Sequence, residues 1–326
     1  MNPWELFISK NPEAQQLIIG VSDNFRCRLT LKAFGPILVT GASSGIGRTV
    51  TEFLSSRGYT VFAGVRKEAD FATLSHLPYV TAIRLDVTDP DDIQKCVARL
   101  HSEGNSVYGL VNNAGVSDYR PLIDSSVEQL HRVFNVNLYG IHLVTRALVP
   151  FLIESKGRVI NMSSVSGFLT PKFVGAYSIS KHAVEAYSDT LREELGEFGI
   201  RVSMIEPGDF RSNITANILP ILKKEELLRK SRYRDELANE IRSRFEFPER
   251  LSRTVFPAPH KVAQAVSDAL FSENPKPRYF VGNMEEVKHV IERILEILVQ
   301  VNESHEHSLN KNELIDMLGK ALNKGQ

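Results

Sequence analysis

In the stretch AYSISKHAVEAY, residues 176–187, Tyr177 stands four residues before Lys181. On a helix, that spacing puts both side chains on one face. A tyrosine normally keeps its proton to about pH 10. A cation one turn away favours the phenolate and lowers that value. A phenol that ionises closer to neutral pH works as a general acid or base. The pair therefore predicts proton transfer by Tyr177, assisted by Lys181.

A second stretch, TGASSGIGRTV, carries glycines at 41, 45 and 47 between an apolar run and a helical pattern. Such a turn lets the backbone approach a pyrophosphate, and the helix behind it presents free N–H groups and a partial positive charge. The spacing is Gly-x-x-x-Gly-x-Gly, which differs from the commoner dinucleotide fingerprint. The next apolar run ends in AGVRKEAD, with Arg66 and Lys67 where an acid would otherwise meet the adenosine ribose. A guanidinium suits a 2′-phosphate, so NADP(H) is expected over NAD(H), with NAD(H) still open.

These groups need a scaffold that holds them together. Short apolar runs recur at 36–40, 60–65, 80–85, 107–111, 158–162, 200–205 and 278–282, separated by amphipathic segments. Near-continuous apolar strands alternating with helices predict a parallel sheet covered on both faces. The fold class is α/β, a doubly wound Rossmann-type sheet of about seven strands. Residues 1–35 have no clear period and read as an N-terminal extension. Residues 36–283 form the catalytic domain. Within it, 209–258 is a strandless insertion expected over the carboxyl ends of the strands, where such sheets bind ligands. Its Ile214, Ile218, Leu219, Ile221 and Leu222 could line an apolar pocket or pack as helix contacts. Residues 284–326 read as a C-terminal helical extension. Its linker NESHEHSLNKNE resembles a calcium loop only faintly, because His307 occupies the central turn position and early aspartates are missing.

Lys+Arg and Asp+Glu balance at 39 each in 326 residues, so nothing points to nucleic acid or an anionic membrane as the main partner. Two cysteines, Cys27 and Cys96, argue against a disulfide framework and for a reducing, cytoplasmic setting. No secretory signal or apolar run of about 20 residues, the length of a membrane span, is evident. The histidines show no ligand-like clustering, and no metal is expected.

The motifs TGASSGIG (40–47), LDVTD (85–89), NNAG (112–115), Asn137 in NVNLYG, NMSS ending at Ser164, YSISK (177–181) and EPG (206–208) come in a specific order. With thirteen residues from Ser164 to Tyr177, the chain resembles the classical short-chain dehydrogenases/reductases over roughly 36–282. The resemblance implies that Tyr177 is the acid/base, that Lys181 activates it and binds ribose hydroxyls, and that Ser164 hydrogen-bonds the substrate oxygen. It gives Asn137 a water-holding part in a proton relay. It places Gly41, Ser43, Ser44, Gly45, Ile46, Gly47, Arg66, Asp86, Val87, Asn113, Ala114, Gly115, Pro207, Gly208, Phe210 and Ser212 among the cofactor contacts, with Tyr177 and Lys181. Ser212 stands where the family often has threonine.

EPGDF and PKPRYFVG resemble the hydroxysteroid and retinol dehydrogenase side of the family. The implied activity is NADP(H)-dependent hydride transfer between nicotinamide and a bulky apolar alcohol or ketone. The implied assembly is a homodimer or homotetramer through helices at about 125–150 and 175–198. The alternative is a dinucleotide-binding sensor or scaffold that uses the insertion and C-terminal helices for a protein partner.

Overall fold

The computed structural model describes residues 34–103, 106–210, 231–241, 256–303 and 306–323. The chain divides into two compact units, one reaching Val281 and one starting at Gly282.

In the first unit, strands and helices alternate. Their order is β1 (Ile37–Thr40), α1 (Gly45–Ser56), β2 (Val61–Val65), α2 (Glu68–Leu74), β3 (Val80–Arg84), α3 (Pro90–Ser102), β4 (Gly109–Asn112), α4 (Val127–Phe134), α5 (Gly140–Ser155) and β5 (Arg158–Met162). There follow α6 (Gly175–Gly196), β6 (Arg201–Pro207), α7 (Arg234–Ile241), α8 (His260–Phe271) and β7 (Arg278–Val281). The seven strands pair in parallel in the order β3-β2-β1-β4-β5-β6-β7. The order reverses between β1 and β4, which opens a crevice at their carboxyl ends.

The strands are apolar because both faces are covered. In β1, Ile37 and Val39 join a core with Val50 and Leu54 of α1 and Val266 and Leu270 of α8. Leu38 points the other way, into a core with Leu100 of α3, Leu148 and Leu152 of α5 and Leu195 of α6. This is the period-2 alternation of a strand buried on both sides.

Two details depart from the pattern expected from sequence. Strand β6 runs two residues past the apolar stretch, so Glu206 and Pro207 pair with Phe280 and Val281 of β7. The helical run 127–155 is broken at Asn135–Tyr139 by a π-turn that joins α4 to α5. By length and composition, Val127–Ser155 is also the one described helix apolar enough to cross a membrane. Its Val144, Leu148 and Leu152 are buried against the sheet, so a core helix accounts for that composition.

The N-terminal extension lies outside the described residues up to residue 33; the Phe34 ring packs 4.7 Å from Tyr108 and 5.2 Å from Phe271. In the second unit, α9 (Met284–Glu303) and α10 (Lys311–Asn323) are joined by a turn. There the Asn302 amide exchanges hydrogen bonds with the backbone of Leu309 at 2.8 and 2.9 Å. Glu313 accepts from the Asn310 N–H at 2.7 Å and Asn310 from the Glu313 N–H at 3.2 Å, a reciprocal helix cap. The late carboxylate of the calcium-like linker is thus engaged in capping α10. Helix α9 exposes Ile294, Leu295, Ile297, Leu298, Val299 and Val301.

Candidate active site

The glycine turn sits at the sheet's switch point. Gly41 (φ 65°) and Gly45 (φ 57°) adopt left-handed backbone that side chains rarely tolerate. A Cβ on Gly41 would stand 2.9 Å from Ala114 Cα, so only glycine lets the turn meet the β4 exit. The Thr40 hydroxyl stitches the two sides together, accepting the N–H groups of Asn113 and Ala114 at 3.0 Å each. The Asn113 amide donates to the carbonyls of Thr40 (2.9 Å) and Gly41 (3.2 Å). A Cβ on Gly47 would collide with that amide and with Gly41 O. Ser43, Ser44, Gly45 and Ile46 are partly exposed around this turn. Ser44 precedes α1 without capping it, and the first turn holds no acid. These open N–H groups suit a pyrophosphate, so the turn fits a dinucleotide.

Just past the ends of β2 and β3, the exposed Arg66 lies 4.0 Å from Asp86 Oδ2. Asp86 Oδ1 accepts from the Thr88 backbone (2.9 Å) and hydroxyl (2.7 Å). Val87 is buried against Gly140. Gly115 lies under Asn137, whose Oδ1 a Cβ would approach to 3.5 Å. Gly208 donates its N–H to Val281 O at 2.9 Å, Pro207 is buried and Phe210 packs on the core. Ser212 and the five apolar insertion residues lie outside the described residues.

The residues expected to handle protons converge from three elements. Asn137, in the π-turn, is fully buried. Its side chain is clamped to Val116, accepting the N–H at 2.8 Å and donating to the carbonyl at 2.9 Å. It also donates to Ser180 Oγ at 2.9 Å, and Ser180 donates to Tyr177 O at 2.7 Å. Ser164, just after β5, accepts from the Ser166 N–H at 3.1 Å and hydrogen-bonds the Tyr177 side chain. Lys181 is buried, lies 5.6 Å from the centre of the Tyr177 ring and donates to Met162 O at 2.7 Å. Ser180 and Thr40 were not among the residues expected from sequence. Both sit inside quoted motifs, but their role as hydrogen-bond bridges depends on partners 43 and 73 residues away.

One expectation is corrected. The tyrosine was expected to ionise more easily, and instead burial pushes the Tyr177 phenol up, outweighing the lowering by Ser164, with Asp209 raising it further. The Lys181 ammonium lies against the ring and bonds Met162 O, and it pays for burial itself: its pKa falls from 10.5 to about 8, partly held up by Glu185.

The described middle of the insertion, residues 231–241, packs beside the segment that enters α6. Ser231 donates to Asp124 Oδ2 at 2.6 Å, and the Tyr233 ring meets Phe173 edge-on at 5.8 Å. Phe173 in turn packs 6.0 Å from Tyr119.

A family model described as short chain dehydrogenase matches residues 36–221. Over 261 residues the chain is 33% identical to the uncharacterized oxidoreductase YbbO of Escherichia coli (strain K12), covering 79% of this chain and 90% of that one. Over 184 residues it is 39% identical to retinol dehydrogenase 5 of Homo sapiens, covering 55% of this chain and 58% of that protein. The structure of a short chain dehydrogenase/reductase from Burkholderia phymatum in complex with NAD aligns with a TM-score of 0.67 at 26% identity, covering 85% of this chain and 98% of that one. With the glycine turn at the switch point, and Ser164, Tyr177 and Lys181 gathered beside it, this chain belongs to the short-chain dehydrogenase/reductase family and is an NAD(P)-dependent oxidoreductase of CH–OH groups.

Proposed function

We propose that the protein is an NADP(H)-dependent reductase of a bulky, apolar ketone or related carbonyl, of steroid, retinoid or lipid type. The observation that carries this reading is the convergence of Ser164, Tyr177 and Lys181 at the β5–α6 edge, next to an uncapped, acid-free helix terminus.

When bound, the nicotinamide dinucleotide supplies or accepts the hydride. The chain does the rest. Ser164 donates its hydroxyl hydrogen to the substrate oxygen as negative charge grows there. Tyr177 gives its proton to that oxygen in reduction and takes it back in oxidation. The phenol is held in the protonated form that reduction requires. Lys181 binds ribose hydroxyls with its ammonium. Asn137, fixed by Val116 and Ser180, holds a relay water. The open N–H groups of α1 and the turn residues 41–47 receive the pyrophosphate. Asp86, Val87 and 113–115 would flank the adenosine side, and Pro207, Gly208 and Phe210 the nicotinamide.

Arg66 supports NADP(H), because its guanidinium is exposed and accessible to a 2′-phosphate. The exposed Tyr233 ring beside the entry to α6 supports an apolar substrate. Retinol dehydrogenase 5 is named for such an alcohol. Exposed Tyr139, Ile153 and Ile179 on the α4–α5 run and α6 support a homodimer or homotetramer through these helices. The free, buried Cys96 suits a reducing cytoplasm.

The test pairs cofactor titration with turnover. NADPH should bind more tightly than NADH, and a panel of steroid and retinoid carbonyls should be reduced at its expense. Tyr177→Phe should lower kcat by roughly 10²–10⁴-fold, the usual size of an acid–base contribution, while keeping cofactor affinity. Undiminished turnover in the variant would sink the mechanism; tighter NADH binding would overturn the cofactor preference.

A further inference from the structure

Behind Tyr177 and Lys181 lies a buried charge cluster to which the reading above assigns no part. Glu185 follows Lys181 by one turn of α6 and is buried. One carboxylate oxygen accepts the Ser163 hydroxyl, and the other pairs with Arg278 of β7. Arg278 also reaches Glu206 Oε1 on β6 at 2.8 Å and Asp189 Oδ2 on α6 at 2.7 Å, with its guanidinium 5.7 Å from the Phe168 ring centre. Asp189 in turn holds Arg192 at 2.6 Å, and Arg192 donates to Val202 O and Pro277 O at 3.0 and 3.2 Å. Gly167 leaves the space that Glu185 fills, since a Cβ there would stand 2.7 Å from its Oε1.

The charges facing Glu185 are therefore Lys181 and Asp189 on its own helix, Glu206 on β6 and Arg278 on β7. Taking Lys181, Glu185 and Glu206 out of water is costly, and an apolar core of equal volume would often be as stable. The arrangement has a local consequence. Ser163 adjoins Ser164, and among the described residues the hydrogen-bond acceptor of Lys181 is Met162 O. A buried ammonium with no nearby carboxylate tends to lose its proton.

We propose that Glu185 is a positioning residue for the reaction: fixed between the Ser163 hydroxyl and Arg278, it keeps Lys181 an ammonium and holds the Ser163–Ser164 segment against the start of α6. This rests on the reading of Lys181 as the ribose-binding cation. The direction agrees with burial lowering the Lys181 pKa to about 8 and Glu185 opposing it.

The test is fluorescence titration of NADPH into the full chain between pH 6 and 10. Wild-type affinity should weaken as Lys181 loses its proton. In Glu185→Gln the midpoint of that loss should fall by about one pH unit or more, the usual effect of an adjacent opposite charge. Glu185→Asp should restore most of the shift. If Glu185→Gln does not fold, the triple variant Glu185→Gln/Glu206→Gln/Arg278→Met removes Arg278 with two of its carboxylates and leaves Asp189 paired with Arg192, and the same downward shift is expected. Lys181→Met serves as the control. If it keeps the inflection, the ribose reading of Lys181 fails and the proposal with it. If it abolishes the inflection while Glu185→Gln leaves the midpoint in place, the ribose reading stands and the proposal is overturned.

Discussion

Helices α1 and α3 both begin at the carboxyl edge of the same parallel sheet, yet their first turns are finished differently. In α3, the Asp89 carboxylate accepts the Asp91 N–H at 2.9 Å, Pro90 removes one donor, and Asp91 and Asp92 lie in the first turn. In α1, Ser44 caps nothing and no acid follows. Every helix start leaves about four N–H groups without partners. Helix α3 meets one of them with Asp89 and removes another with Pro90; α1 does neither, which leaves its N–H groups to a ligand that brings negative charge, as the proposed pyrophosphate site requires. Capping thus separates α1 from α3, although both begin at the same edge of the sheet.

That contrast can be broken most forcefully at Ser44. Ser44→Asp should give α1 the finish of α3, because aspartate is a good cap. It should also set a carboxylate against the incoming phosphates. Affinity for NADPH, read by fluorescence, should fall roughly tenfold to a thousandfold, from about 1–4 kcal/mol of like-charge repulsion, while the melting temperature holds or rises. Unchanged affinity would show that the open helix end is not where the phosphates sit.

The acids of α3 sit where a helix end welcomes them; Glu206 has no such support. Buried in β6 beside Glu185, its pKa is raised from 4.5 to about 7 by burial first and the neighbouring carboxylate second, with Arg278 opposing both. The folded state holds this proton more tightly than the unfolded chain does. Its stabilising contribution is complete below about pH 4.5, an ordinary carboxyl value, and is lost as pH rises through the folded value near 7. Glu206→Gln should therefore gain stability relative to wild type between pH 5 and 8, measured as urea midpoints. A constant difference across that range would remove the buried-acid account. The smallest effect is expected at Asp89→Ala, which should cost about 1 kcal/mol as a lost cap and leave NADPH affinity untouched. A matching loss of affinity would erase the distinction between the two helix ends.

Much of this architecture could be read along the chain. The strand runs at 36–40, 60–65 and 158–162 were found within a residue of β1, β2 and β5, because strands buried on both faces are apolar throughout. The glycines of the first turn were visible because positive φ and close approach leave few other choices. The extension of β6 to Glu206 and Pro207 was hidden, since a buried carboxylate and a proline both argue against a strand and only the edge pairing with β7 permits them. The charge cluster was equally hidden. Arg278 meets Glu185 across 93 residues and Glu206 across 72, and each looks alone like an ordinary surface charge.

The sequence by itself determined the alternation of strands and helices, the glycine turn and the one-turn spacing of Tyr177 and Lys181. These follow from periodicity and backbone sterics, which act over a few residues. The tertiary structure alone decided the direction in which Tyr177 ionises, the partners of Asn137 and the gathering of three carboxylates around Arg278. Desolvation and charge pairing depend on everything packed around a group, and most of what surrounds these groups comes from distant parts of the chain.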